Sequence, residues 1–128
     1  MTVAMYVDGF VIPIPKRNLD TYRRMARKAG KVWMEYGALA FHENVADDLR
    51  VQTPDGPVDS LFPAMVGLKR GETVLFSYIV FRSRAHRDRV NAKVMQDPRL
   101  EKMMKGKMPF DPDRMAYAGF RSIVDLQA

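Results

Sequence analysis

The sequence predicts an α+β chain in the order β-α-β-β-α-β. Three observations carry that reading. A β-rich segment near the N-terminus gives way to a long amphipathic helical pattern. A nearly all-apolar run at Thr73 to Arg82 (TVLFSYIVFR) looks like a central strand covered on both faces. A second helical stretch then leads to a final strand. This order is the ferredoxin-like, split βαβ arrangement, in which right-handed crossovers put both helices on one sheet face. One helix layer leaves the other apolar face bare. A second copy of the chain, sheet face to sheet face, is the economical cover, so a homodimer is expected.

The elements follow in order. Tyr6 to Pro13 reads as a strand, interrupted by Asp8 and ended by Pro13 and Pro15. From Lys16 to Tyr36 the period changes. Leu19, Tyr22, Met25, Ala26, Ala29, Val32, Trp33 and Tyr36 recur at three- and four-residue steps, opposite Arg23, Arg24, Arg27, Lys28 and Lys31. Gly37 supplies the C′ residue that helices favour, because glycine tolerates positive φ. Ala38 to Val45 is a second strand. Asp47 to Lys69 is turn-rich, with Pro54, Gly56, Pro57 and Pro63, and has room for a short extension of the sheet. Lys69 to Glu72 is a turn. Ser83 caps a helix over Arg84 to Gln96. Asp97-Pro98 marks a break and a new start, with Asp97 as cap and Pro98 at the first helical position; the helix runs to Lys105 and Gly106. Met108 to Pro112 is a loop, and Arg114 to Val124 the last strand.

Composition bounds the function. A chain of 128 residues suits one domain, residues 1–128. Its 47% hydrophobic and 28% charged residues suit a folded protein. The absence of cysteine excludes disulfides, thiolate metal sites, iron–sulfur clusters and a Cys nucleophile, and fits a reducing compartment. The start, Met1 to Asp8, has no basic n-region, and no apolar run approaches the roughly 18 residues a membrane span needs. A cytoplasmic protein without membrane contact is expected. The net charge of +6 prompts a nucleic-acid test. No helix-turn-helix, RNP-type aromatic pattern or Gly-rich clamp accompanies it, so the basic faces read as solvated and nucleic acid is not the expected partner.

Several segments resemble a known family. Tyr6-Val7-Asp8-Gly9-Phe10-Val11, Gly37-Ala38-Leu39, Asp97-Pro98-Arg99, and Met108-Pro109-Phe110-Asp111 followed by Arg114-Met115, Tyr117 and Gly119-Phe120 are similar to the YbaA-like bacterial family of unknown function. That family belongs to the dimeric α+β barrel superfamily. The resemblance implies the same fold and the same dimer, and it transfers no catalytic residue. The superfamily spans cofactor-free monooxygenases, haem-handling enzymes, isomerases and ligand sensors, so fold does not decide function.

Asp8 is the most informative single residue. A carboxylate mid-strand is costly to bury without partners. It reads either as a general base or anchor in a cavity, or as an ion pair to Arg82, Arg121 or a hydroxyl. His42 and His86 are the two histidines. His42 is the stronger catalytic candidate beside Asp8, with Glu43 on the opposite strand face; His86 shares a helix stripe with Val90 and Val94 and reads as packed core. No HxH or HxxxH pattern exists, so no metal site is expected. Tyr6, Trp33, Tyr36 and Tyr117 are candidate substrate-lining residues, with ordinary core packing as the plainer reading. Ten methionines, five of them in the last third, fill a core or dimer interface, or line an adaptable surface. The seryl residues lack a GxSxG setting, and the scattered glycines form no phosphate loop. The expected function is small-molecule binding in a cavity between sheet and helices, with no cofactor. Cofactor-independent oxygenase or isomerase chemistry is one form of it. A non-catalytic ligand-sensing or structural dimer is the alternative.

Overall fold

A computed structural model describes residues 4–128. Met1 to Val3, part of the segment read above for targeting, lie outside the described residues. The architecture is α+β, and the described residues form six strands and four α-helices: β1 (Tyr6–Pro15), α1 (Leu19–Glu35), β2 (Ala40–Val45), β3 (Arg50–Thr53), β4 (Gly56–Asp59), α2 (Phe62–Met65), β5 (Glu72–Phe81), α3 (Arg84–Gln96), α4 (Pro98–Lys105) and β6 (Ala116–Arg121). Four strands form an antiparallel sheet in the order β2-β5-β1-β6.

β1 runs through both prolines that were expected to stop it. The reason lies in the register. β6 pairs with β1 only from Tyr6 to Val11, whereas β5 continues to Pro15. Beyond Val11, β1 is an edge strand, where a missing N–H costs no ladder bond. The turn-rich segment is not an extension of this sheet. Arg50 to Asp59 folds back as a separate two-stranded hairpin, β3-β4, turning at Pro54-Asp55, with Gly56 at φ 107° opening β4. The last strand is shorter than expected: Pro112–Arg114 is a turn of 3-10 helix, and the chain leaves the sheet after Arg121.

Local chemistry explains the helix ends. Gly37 has φ 110°, the conformation that ends α1. The Ser83 hydroxyl accepts from the His86 N–H at 3.1 Å and caps α3. The Asp97 carboxylate accepts from the Arg99 N–H at 2.8 Å and caps α4, with Pro98 in its first turn. That one residue lets α4 turn back against α1 and α3.

Strand alternation sorts the sheet into two faces. Tyr6, Asp8, Ile12 and Ile14 of β1 and Leu75, Ile79 and Phe81 of β5 point one way and pack under the helices, with Ala26 and Val32 of α1 and Val90 and Val94 of α3. His86 is buried there too; its Nδ1 accepts from the Arg82 N–H at 2.9 Å, and burial lowers its pKa. The opposite face carries Val7, Val11, Phe76, Tyr78, Val80 and Phe120. Phe76 and Phe120 are exposed there, and Phe62 of α2 meets Phe76 edge-on at 6.2 Å. Among the described residues no helix is long and apolar enough to cross a membrane.

Candidate functional site

Asp8 sits on the helix-facing side of β1, paired with Ile79 of β5 and Gly119 of β6. It is 1% exposed. Gly119 makes room: a Cβ there would stand 2.7 Å from the Tyr6 ring. One turn apart on α3, Arg87 and Asn91 reach down onto the carboxylate. Arg87 Nη1 donates to Oδ1 and Asn91 Nδ2 to Oδ2, both at 3.2 Å. The network continues outward. Trp33 Nε1 donates to Asn91 Oδ1 at 3.0 Å. Arg87 also donates to the Tyr117 hydroxyl at 3.2 Å and to the Tyr6 hydroxyl at 3.3 Å, and lies 4.9 Å over the Tyr6 ring. Burial raises the pKa of Asp8, and the Asn91 hydrogen bond and the Arg87 charge offset that only in part.

A second carboxylate lies further along the same face. Glu43 on β2 is held by two short hydrogen bonds to one oxygen: Tyr22 Oη and Ser77 Oγ each donate to Oε2 at 2.6 Å. Its strand is an edge and the residue as a whole is exposed, but the carboxyl group is wedged between α1 and β5. Loss of water raises its pKa, against the lowering effect of Ser77 and Tyr22. Tyr22 is raised as well, by burial and by the neighbouring Glu43 charge.

Between these two ends is a cavity of about 300 Å³ under α1, α3 and α4. Its wall is mostly apolar, and six methionines line it: Met25, Met95, Met103, Met104, Met108 and Met115. Met95 and Met104 are exposed and form its rim. The cavity is at the small end of the range for ligand sites, about 300–1,000 Å³. Asp8 and Glu43 stand two strands and two residues apart, which puts their Cα atoms roughly 12 Å from each other. The carboxylates therefore cannot share a proton; each acts alone.

The candidate residues read from sequence separate into three groups. Asp8, Trp33 and Tyr117 converge on the cavity, with Tyr117 stacked on Phe10 at 4.8 Å. Tyr6 lies beside them in the core and reaches the site through Arg87. Tyr36 and His42 are elsewhere. Tyr36 donates to Asp97 Oδ2 at 2.8 Å, in the α3–α4 junction where Arg99 also binds Asp97 and Glu35. His42 points to the opposite sheet face, against Tyr78 at 4.9 Å. The sheet itself stands between His42 and Asp8, so the two do not form one catalytic pair. Asp8 is tied to Arg87, not to Arg82 or Arg121.

Glu43, Ser77, Arg87 and Asn91 are the residues that sequence reading did not select. Glu43 carries the same signal as Asp8, an acid in the apolar phase of a strand, between Phe41 and Val45. Arg87 and Asn91 flank the core stripe of α3 at a spacing of four, which alone looks like a solvated helix face. Among the described residues no cluster of three His, Asp or Glu is placed to hold a metal ion.

Comparison with known proteins agrees with the segments noted at the outset. A family described as "Protein of unknown function (DUF1428)" matches residues 5–112. The chain belongs to this family. Its relatives include the "Uncharacterized protein YbaA" of Escherichia coli strain K12 and that of Shigella flexneri, each 44% identical over 120 residues, covering 94% of this chain and 97% of theirs. Among solved structures, a de novo designed protein, Foldit4, aligns with a TM-score of 0.43 at 9% identity, covering 94% of this chain and 99% of its own. The last likeness is too slight to carry an argument.

Proposed function

We propose that this chain is a cytoplasmic small-molecule-binding protein, its ligand a largely apolar compound seated in the cavity between sheet and helices. The cavity is the observation that carries the reading. Apolar, methionine-lined walls adapt to a ligand's shape, and a few polar groups at the ends orient it. Binding without turnover is favoured over catalysis at Asp8, because Arg87 and Asn91 already occupy both of its oxygens. The raised pKa of Glu43 favours a second reading, proton-transfer chemistry of the isomerase kind.

The proposal extends to architecture. The order β2-β5-β1-β6 supports one domain of the ferredoxin-like kind, and the bare face supports a dimeric α+β barrel. Phe76 and Phe120 are exposed on that face, and Ile123, Val124 and Leu126 follow it at 84%, 73% and 89% exposure. So much exposed apolar surface is a mark of an interface. Light scattering at micromolar concentration should give twice the chain mass, and Phe76→Asp/Phe120→Asp should give a monomer. A monomeric wild type refutes the dimer.

The ligand reading is tested with 4-phenyl-1-butanol, an uncharged probe of suitable size. It should raise the melting temperature of the wild type and leave that of Ala29→Phe unchanged, since Ala29 lines the cavity. Equal responses in both proteins would place the probe elsewhere and defeat the reading.

A further inference from the structure

The two carboxylates of the cavity differ in one respect. Asp8, Glu35, Glu72 and Asp97 each hold an arginine. Glu43 forms no ion pair with any described Lys, Arg or His. Glu43 also lines a solvent groove with Arg23, Arg27 and Lys31 of α1, but Arg23 is held by Asp20 at 3.0 Å and none of the three forms an ion pair with Glu43.

The hydrogen bonds around Glu43 consume every local donor. Tyr22 and Ser77 have one hydroxyl proton each, and both are committed to Oε2. What remains for a ligand is a set of acceptors: the carboxylate oxygens and the lone pairs of the two hydroxyl oxygens. All three residues line the cavity. With Glu43 ionised, the polar end of the pocket is therefore rich in acceptors, negatively charged and without an ion-pair partner among the described residues. A ligand carboxylate or phosphate would be repelled, and an aldehyde or ketone would find no free donor. A hydroxyl supplies one donor. A primary ammonium supplies three donors and the missing charge.

We infer that Glu43, Tyr22 and Ser77 form the head-group site for a protonated organic amine, whose apolar body fills the methionine-lined cavity. This rests on the binding reading above and names its ligand class. At about 30 Å³ per water-sized group, 300 Å³ holds about ten such groups, which suits an arylalkyl or medium-chain alkyl amine.

Calorimetry with two probes of equal size, 4-phenylbutylamine and 4-phenyl-1-butanol, tests the inference at neutral pH. The wild type should bind the amine at least tenfold more tightly than the alcohol, because a charge-assisted hydrogen bond is about twice as strong as a neutral one. Glu43→Gln keeps the shape and removes the charge, so it should abolish that preference and leave alcohol affinity within about threefold. Equal affinities of the wild type for both probes overturn the amine site and leave the cavity reading standing. Retained amine preference in Glu43→Gln also overturns it. Binding of neither probe overturns both readings. The wild-type comparison needs no variant, so it decides even where Glu43→Gln fails to fold.

Discussion

Replacing Arg87 by Met should turn Asp8 from a compensated charge into an isolated one. Met retains much of the stem packing, so the main loss is electrostatic. Asp8 is 1% exposed and Arg87 has 15% of its side chain exposed, so the pair lies well below the surface. Breaking one partner of such a pair costs about 3–5 kcal/mol. The Asn91 hydrogen bond survives the change, and Asp8 can relieve the rest by taking up a proton. The expected loss at pH 7.5 is thus at the low end, about 3 kcal/mol, or roughly 10–15 °C in melting temperature for a chain of this size. The sign with pH follows from linkage. Asp8 already has its pKa raised above the ordinary 3.8, so the folded state binds the proton more tightly than the unfolded state. Ionising it costs stability as pH rises from that ordinary value through the folded one. Removing Arg87 lifts the folded value further and extends this window upward. Urea denaturation at fixed protein concentration should show the difference from wild type shrinking to less than half between pH 7.5 and pH 4. Asp8→Asn/Arg87→Met should recover most of the stability and lose the pH dependence. A loss below about 1 kcal/mol, or the same loss at both pH values, would refute the view that Arg87 compensates a buried charge.

Three further outcomes follow from other parts of the molecule. Gly119→Ala forces a Cβ into the Tyr6 ring and should cost about 1–3 kcal/mol in thermal or urea unfolding; a neutral change would mean that the ring moves freely aside. Ser83→Ala removes the cap of α3 and should cost about 1 kcal/mol, with faster amide hydrogen exchange at Arg84 to Arg87; unchanged exchange would show that the cap is dispensable. Glu72 is held by Arg114 at 2.7 Å, and that hydrogen bond draws its pKa from 4.5 to about 2. Its contribution is present above the ordinary value and is lost as pH falls toward 2, so Arg114→Met should flatten the acid limb of the stability curve; an unchanged limb would count against the pairing.

Much of the backbone was legible in the chain itself. Apolar spacing located α1, the composition of Thr73 to Arg82 located β5, and Ser83, Asp97 and Gly37 placed helix ends close to where they stand, because these are local effects of side-chain period, capping and positive φ. Family membership was legible too, from short segments at both ends. Asp8 stood out because a charge in an apolar strand needs a reason. What that reason is depended on tertiary structure. The partners of Asp8 come from α3, 79 and 83 positions away, and no local rule selects Arg87 over Arg82. The fate of His42 turned on strand parity: with Asp8 opposite Ile79 and Ile79 opposite Phe41, the next residue of β2 must face away. The Glu43 site required three elements to meet, α1, β2 and β5, and the two prolines of β1 were permitted only because β6 is short. Periodicity and capping act within a few residues and are written in the sequence. Pairing register and the meeting of distant side chains arise when the sheet closes, and they decide which of the reactive groups share a cavity.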